Sequence, residues 1–101
     1  MRRAAKVDGN QRAIKRALEA IGAHVTYIKE PVDLLVGYRR RTLVLEVKNP
    51  HGKDLLTKAQ QDFFREFRGE AYIVHGVDDA LAAVTGKIIA PQFPADAEGR
   101  N

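Results

Sequence analysis

A chain of 101 residues has room for one domain. It holds 45% hydrophobic and 30% charged residues, the balance of a globular protein, and no apolar run approaches the ~18 residues needed to cross a membrane. It has no cysteine, which excludes disulfides and thiolate zinc sites and fits a cytoplasmic protein. The charged start Met1-Arg2-Arg3-Ala4-Ala5-Lys6 is followed by no long apolar stretch, so it does not read as a secretory signal. Net charge is +4 and unevenly spread. Residues 1–68 carry 15 Lys/Arg against 8 Asp/Glu, and residues 69–101 carry 2 against 5. A basic half suits a phosphate backbone, or is a solvated surface.

In chain order, Ile14, Ala17, Leu18 and Ile21 form an apolar stripe at helical spacing. They predict a helix over Gly9–Ile21, capped by Asp8 and stopped by Gly22. His24–Lys29 reads as a strand, and Glu30-Pro31 as a break. Val32–Tyr38 and Thr42–Lys48 read as two strands joined by a hairpin through Gly37 to Arg41. Asn49 to Lys53 is a loop by composition. A second helix is expected from Thr57 to about Phe67, burying Phe63, Phe64 and Phe67 and ended by Gly69. A short strand follows at Ala71–Val74. A third helix is capped by Asp78 and runs through Val84 to Gly86. Lys87–Ala90 is a candidate edge strand, and residues 94–101 an irregular tail after a single domain over 1–93. The order α-β-β-β-α-β-α predicts an α/β fold with a mixed sheet flanked by helices.

The segment Thr42-Leu43-Val44-Leu45-Glu46-Val47-Lys48 carries the strongest chemical signal. Side chains alternate along a strand, so Leu43, Leu45 and Val47 share one face and Thr42, Val44, Glu46 and Lys48 the other. Asp33 opens the preceding apolar strand. In an antiparallel hairpin the start of one strand lies beside the end of the next, which brings Asp33 to Glu46 and Lys48. Two carboxylates at one point suit Mg²⁺ or Mn²⁺, with the Val47 carbonyl as a further ligand. Such a metal activates water and neutralises charge on a phosphodiester, while Lys48 orients the water or stabilises the developing charge. The bland alternative is a turn-forming acid beside an exposed ion pair.

Asp33-Leu34-Leu35-Val36-Gly37 followed by Leu45-Glu46-Val47-Lys48 resembles the PD-(D/E)XK nuclease superfamily. More closely it resembles the small stand-alone VRR-NUC-type nucleases often carried by phages. The resemblance extends to Arg3 and Asp8-Gly9-Asn10-Gln11, to Leu56-Thr57, Gln60 and Phe63, and to Gly69 and Asp79-Ala80-Leu81, roughly residues 3–85. It implies a restriction-endonuclease-like core and Mg²⁺-dependent cleavage of DNA, with Asp33 and Glu46 as metal ligands and Lys48 as the catalytic lysine. Gln60 becomes the glutamine beside the active site. Relatives often act as homodimers on branched DNA such as Holliday junctions, in the cytoplasm of the cell or of a phage's host. Two departures stand out. Val32 replaces the usual proline, and Gln11 occupies the place of a first-helix glutamate, where its amide oxygen is a weaker ligand.

Both glutamines also have a structural reading, because Asp8-x-x-Gln11 and Thr57-x-x-Gln60 have capping-box spacing. Arg39, Arg40 and Arg41 grip phosphates beside the cleaved bond, or form a solvated turn. Arg12, Lys15 and Arg16, with Lys53 and Lys58, are further candidates for nucleic-acid contact. His24, His51 and His75 match no metal-ligand spacing, and Tyr27 and Tyr38 read as packed. The rival readings are a non-catalytic nucleic-acid-binding module on a nuclease fold and a protein-interaction subunit of a larger complex.

Overall fold

The computed structural model describes residues 8–49 and 56–87. Three helices and four strands alternate as α1 (Gly9–Ala20), β1 (His24–Tyr27), β2 (Leu34–Tyr38), β3 (Arg41–Val47), α2 (Lys58–Glu66), β4 (Glu70–Val74) and α3 (Val77–Thr85). The four strands form one mixed sheet in the order β1-β2-β3-β4. β1 to β3 are antiparallel neighbours, and β4 joins β3 in parallel. The fold is therefore α/β, and the element order is the one the sequence predicts. Among the described residues no helix is long and apolar enough to cross a membrane.

Alternation along the strands divides the interior in two. Leu34, Val36, Leu43, Leu45, Val47, Tyr72 and Val74 pack with Ile14 and Leu18 of α1 and Ala80, Ala83 and Val84 of α3. On the opposite face Val44, Ala71 and Ile73 pack with Val32 and with Phe64 of α2. The sheet thus lies between an α1–α3 layer and α2, as period-two strands with two apolar faces require.

The ends of the elements have local causes. Asp8 accepts from the Gln11 N–H at 2.8 Å and starts α1. Beyond α1, Gly22 takes the left-handed φ of 98°. Its N–H bonds to Glu19, and that of Ala23 to Leu18, which closes the helix in a Schellman motif. Thr57 and Gln60 make a reciprocal capping box at α2.

Several boundaries and burials differ from the sequence expectations. β1 stops at Tyr27, because Lys29 adopts a φ of 74° and the Glu30 N–H folds back onto the Ile28 carbonyl. Ile21 is the C-cap of α1 and is 38% exposed. Only Phe64 of the three phenylalanines is fully buried. Phe67 follows the last turn of α2 with extended backbone, is 39% exposed and stacks on Phe63. Gly69 does not end α2; its missing Cβ leaves room for the Phe67 ring, 2.8 Å from where that carbon would lie. Asp78 does not cap α3. Gly76 stands at the cap, and Asp78 lies inside the first turn, where an acid still complements the helix dipole. The expected strand over Lys87–Ala90 and the tail over 94–101 fall outside the described residues except for Lys87, whose N–H closes α3 on Ala82.

Candidate active site

The register of β2 and β3 pairs Leu34 with Leu45. One further step sets Asp33 opposite Glu46, on the face that carries Val44 and meets α2. Asp33 is fixed there twice: its N–H donates to the Leu45 carbonyl at 3.1 Å, and its Oδ2 accepts the Val47 N–H at 2.8 Å. Lys48 Nζ lies 3.0 Å from Glu46 Oε2. Asp33, Glu46 and Lys48 therefore converge where β2 begins and β3 ends.

Glu46 is withdrawn from water, and Asp33 and Lys48 are half-buried beside it. Glu46 is 4% exposed and is the buried charged residue among those described. Burial pushes its pKa up, and the neighbouring Asp33 charge pushes it further. Lys48 and the Gln60 side chain oppose both. Burial also raises Asp33, against the Val47 N–H, Glu46 and Lys48, while Asp8 adds a smaller upward push. Glu46 Oε1 is buried and has no hydrogen-bond partner among the described residues. A buried acceptor without a donor is costly, and a cation is a natural complement to it.

The donor set fits a hard divalent cation. Asp33 and Glu46 supply carboxylate oxygens, the kind of ligand Mg²⁺ and Mn²⁺ prefer. Val47 adds a carbonyl: its N–H points toward Asp33, and in an extended strand the carbonyl of the same residue leaves on the same side. The next residue faces the other way, with the Lys48 N–H donating to Val74 of β4 at 2.9 Å.

The first helix reaches this end of the sheet through Asn10. Its Nδ2 donates to the His75 carbonyl at 3.1 Å, with the Lys48 carbonyl at a longer 3.5 Å. The bridge is made by Asn10, one residue before the predicted Gln11. Gln11 sits half-buried in the first turn with its N–H held by Asp8. Beside the bridge, Asp79 Oδ2 accepts the His75 N–H at 2.9 Å and lies 3.2 Å from His75 Nδ1. The sequence singles out none of Asn10, His75 and Asp79 as site residues, although Asn10 and Asp79 lie in segments that carry the family resemblance. Their proximity depends on β4 lying parallel to β3, a pairing 27 residues apart in register that no local pattern encodes.

Gln60 combines its two readings. Its Oε1 accepts the Thr57 N–H at 3.2 Å, and its side chain still favours the charged form of Glu46. Lys58 is exposed near the start of α2 and pairs with Asp62 at 2.9 Å. Arg12 and Arg16 are exposed on α1, and Lys15 pairs with Glu19 at 2.5 Å. Lys53 and His51 lie outside the described residues.

The arginine turn lies apart from the carboxylate cluster. Arg39 and Arg40 form a two-residue hairpin at the far end of β3 from Glu46. Five residue steps at about 3.4 Å put Arg41 roughly 17 Å away along the strand. Arg41 is also engaged: it binds both oxygens of Glu70, at 2.6 and 3.1 Å, and donates to the Val84 and Ala83 carbonyls at the end of α3. It fastens the sheet to a helix.

Comparisons with family models, curated proteins and solved structures give no match to this chain.

Proposed function

We propose that this chain is a metal-dependent nuclease of the PD-(D/E)XK type that hydrolyses DNA phosphodiester bonds. The observation that carries the reading is the buried Glu46 carboxylate beside the half-buried Asp33, with Lys48 at 3.0 Å and one Glu46 oxygen that has no hydrogen-bond partner among the described residues. The sheet with α1 and α2 on opposite faces supports a restriction-endonuclease-like core. Asp33, Glu46 and the Val47 carbonyl hold Mg²⁺ or Mn²⁺. Bound there, such an ion supplies an activated water and charge neutralisation at the phosphate. Lys48 places a positive charge against the phosphate oxygens as negative charge develops. The Gln60 side chain, with Lys48, opposes the rise that burial and Asp33 give the Glu46 pKa. The fold excludes bulk water from the Glu46 side, which strengthens each of these interactions.

The preferred substrate in this reading is branched DNA such as a Holliday junction, cut by a homodimer in the cytoplasm. The test is cleavage of branched, single-stranded and duplex DNA with Mg²⁺ or Mn²⁺. We expect cleavage by the wild type and a loss of about a hundredfold or more in Asp33→Ala, Glu46→Ala and Lys48→Ala. Full activity in Asp33→Ala, or no cleavage of any substrate by the wild type, overturns the proposal.

A second reading, a nucleic-acid-binding module without turnover, draws on Gln11, a neutral amide at the position where the resemblance expects an acid. It predicts salt-sensitive DNA binding with no metal-dependent cleavage. Raised cleavage in Gln11→Glu instead identifies an enzyme with a weakened metal site.

A further inference from the structure

A cleft of about 650 Å³ opens beside the proposed active site, lined by Lys29, Glu30, Pro31, Thr57, Ala59 and Gln60. Its size lies within the ~300–1,000 Å³ span of small-ligand sites. It shares residues and backbone with the catalytic cluster. Gln60 forms part of its wall, and Pro31 stands two residues before Asp33. Any group held in it is therefore joined to the reacting centre by a short reach.

The lining specifies the chemistry of the guest. Among the described residues that line it, Lys29 and Glu30 are of opposite charge. Pro31 and Ala59 offer apolar faces. Around them stand a cation that donates, a carboxylate that accepts, and the Thr57 hydroxyl. That oxygen already accepts the Gln60 N–H at 3.1 Å, so its hydrogen remains to donate. A flat, neutral group with apolar faces and a mixed donor–acceptor edge matches this lining, and a nucleobase is such a group. The backbone at Lys29 supports a built feature: a φ of 74° at a non-glycine residue is uncommon and persists where the surroundings hold it.

We infer that this cleft receives the unstacked base of the nucleotide next to the scissile phosphate, with Pro31 and Ala59 against its faces and Lys29, Glu30 and Thr57 at its edge. The inference rests on the nuclease reading of the adjacent cluster. It makes the substrate at the point of cutting a nucleotide drawn out of a duplex, or one already single-stranded at a branch.

The probe is a thymidine dinucleotide, compared with its analogue lacking one base, titrated into the full chain while backbone amide NMR signals are followed. The intact dinucleotide should shift Lys29, Glu30, Ala59 and Gln60, and the base-lacking analogue should bind about fivefold more weakly or worse. Ala59→Trp fills the cleft from an exposed helix position and should abolish the difference between the two probes. Lys29→Ala should reduce it without moving the signals of Asp33 or Glu46. Equal binding of both probes by the wild type overturns the inference, as does an unchanged difference in Ala59→Trp. These titrations read binding and decide the cleft whether or not the chain cuts DNA, whereas cleavage by the wild type and Asp33→Ala decides the catalytic reading.

Discussion

At the scale of single residues, Glu46 sets the terms. Burial and the facing Asp33 raise its pKa, and Asp33 is raised as well. The folded chain therefore holds protons on this pair more tightly than the unfolded chain does. The pair's contribution to stability is full below the ordinary carboxylate pKa and is lost as pH rises through the raised values. At neutral pH the ionised pair opposes folding. Glu46→Gln should consequently raise neutral-pH stability by about 0.5–2 kcal/mol in denaturant titration while eliminating cleavage. On the proposed metal site, Mg²⁺ or Mn²⁺ should raise the melting temperature of the wild type and not that of Glu46→Gln. A fall in stability instead would mean that the Lys48 ion pair outweighs the burial. By the same sign, cleavage should decline on acidification with a midpoint above the ordinary carboxylate range, because metal binding competes with protons held more tightly than usual. Arg39 and Arg40 present a separate case. Both have positive φ, 49° and 69°, in a turn that favours Asn-Gly. Replacing the pair by Asn-Gly should stabilise the chain by about 1 kcal/mol and leave the cleavage rate at saturating DNA unchanged.

At the scale of elements, α2 depends on one anchor. Phe64 is 1% exposed and fills the pocket formed by Val32, Val44, Ala71 and Ile73. Phe64→Ala should cost about 3–5 kcal/mol, whereas Phe67→Ala, at an exposed position, should stay within about 0.5 kcal/mol; chemical denaturation measures both. The helical spacing in the sequence located α2 but did not separate these rings, because burial depends on where the sheet ends beneath the helix. The strands were more legible. The apolar runs after Asp33 and through Leu43–Leu45, with the short turn between them, made the antiparallel hairpin legible, and with it the convergence of Asp33, Glu46 and Lys48. What adjoins β3 on its other side was not legible. The Asn10 bridge to His75 and Lys48 joins three elements whose neighbourhood arises only when β4 docks in parallel. Asn10→Ala should lower stability by about 1 kcal/mol and lower kcat more than it raises KM, since the bridge positions the end of the strand that bears Lys48.

At the scale of the molecule, the charge pattern was visible in the sequence, but its division of labour was not. The basic half of the chain includes residues committed to neighbours. Lys15 pairs with Glu19, Lys58 with Asp62, Arg65 with Asp62, and Arg41 with Glu70. A count of basic residues therefore overstates what remains for DNA, and the salt dependence of binding should report fewer phosphate contacts than that count suggests. Arg41→Ala sharpens the point. It should destabilise the fold by about 1–3 kcal/mol yet leave the slope of log affinity against log salt unchanged. A shallower slope would return Arg41 to the DNA surface. The same clamp also has a practical consequence. Arg41 ties the first residue of β3 to Glu70 and to the last carbonyls of α3, so the sheet is secured immediately behind the exposed Arg39–Arg40 tip. The tip is therefore a natural attachment point: a reporter grafted between Arg39 and Arg40 would be carried on a braced end of the sheet, a strand's length from the Asp33–Glu46 cluster.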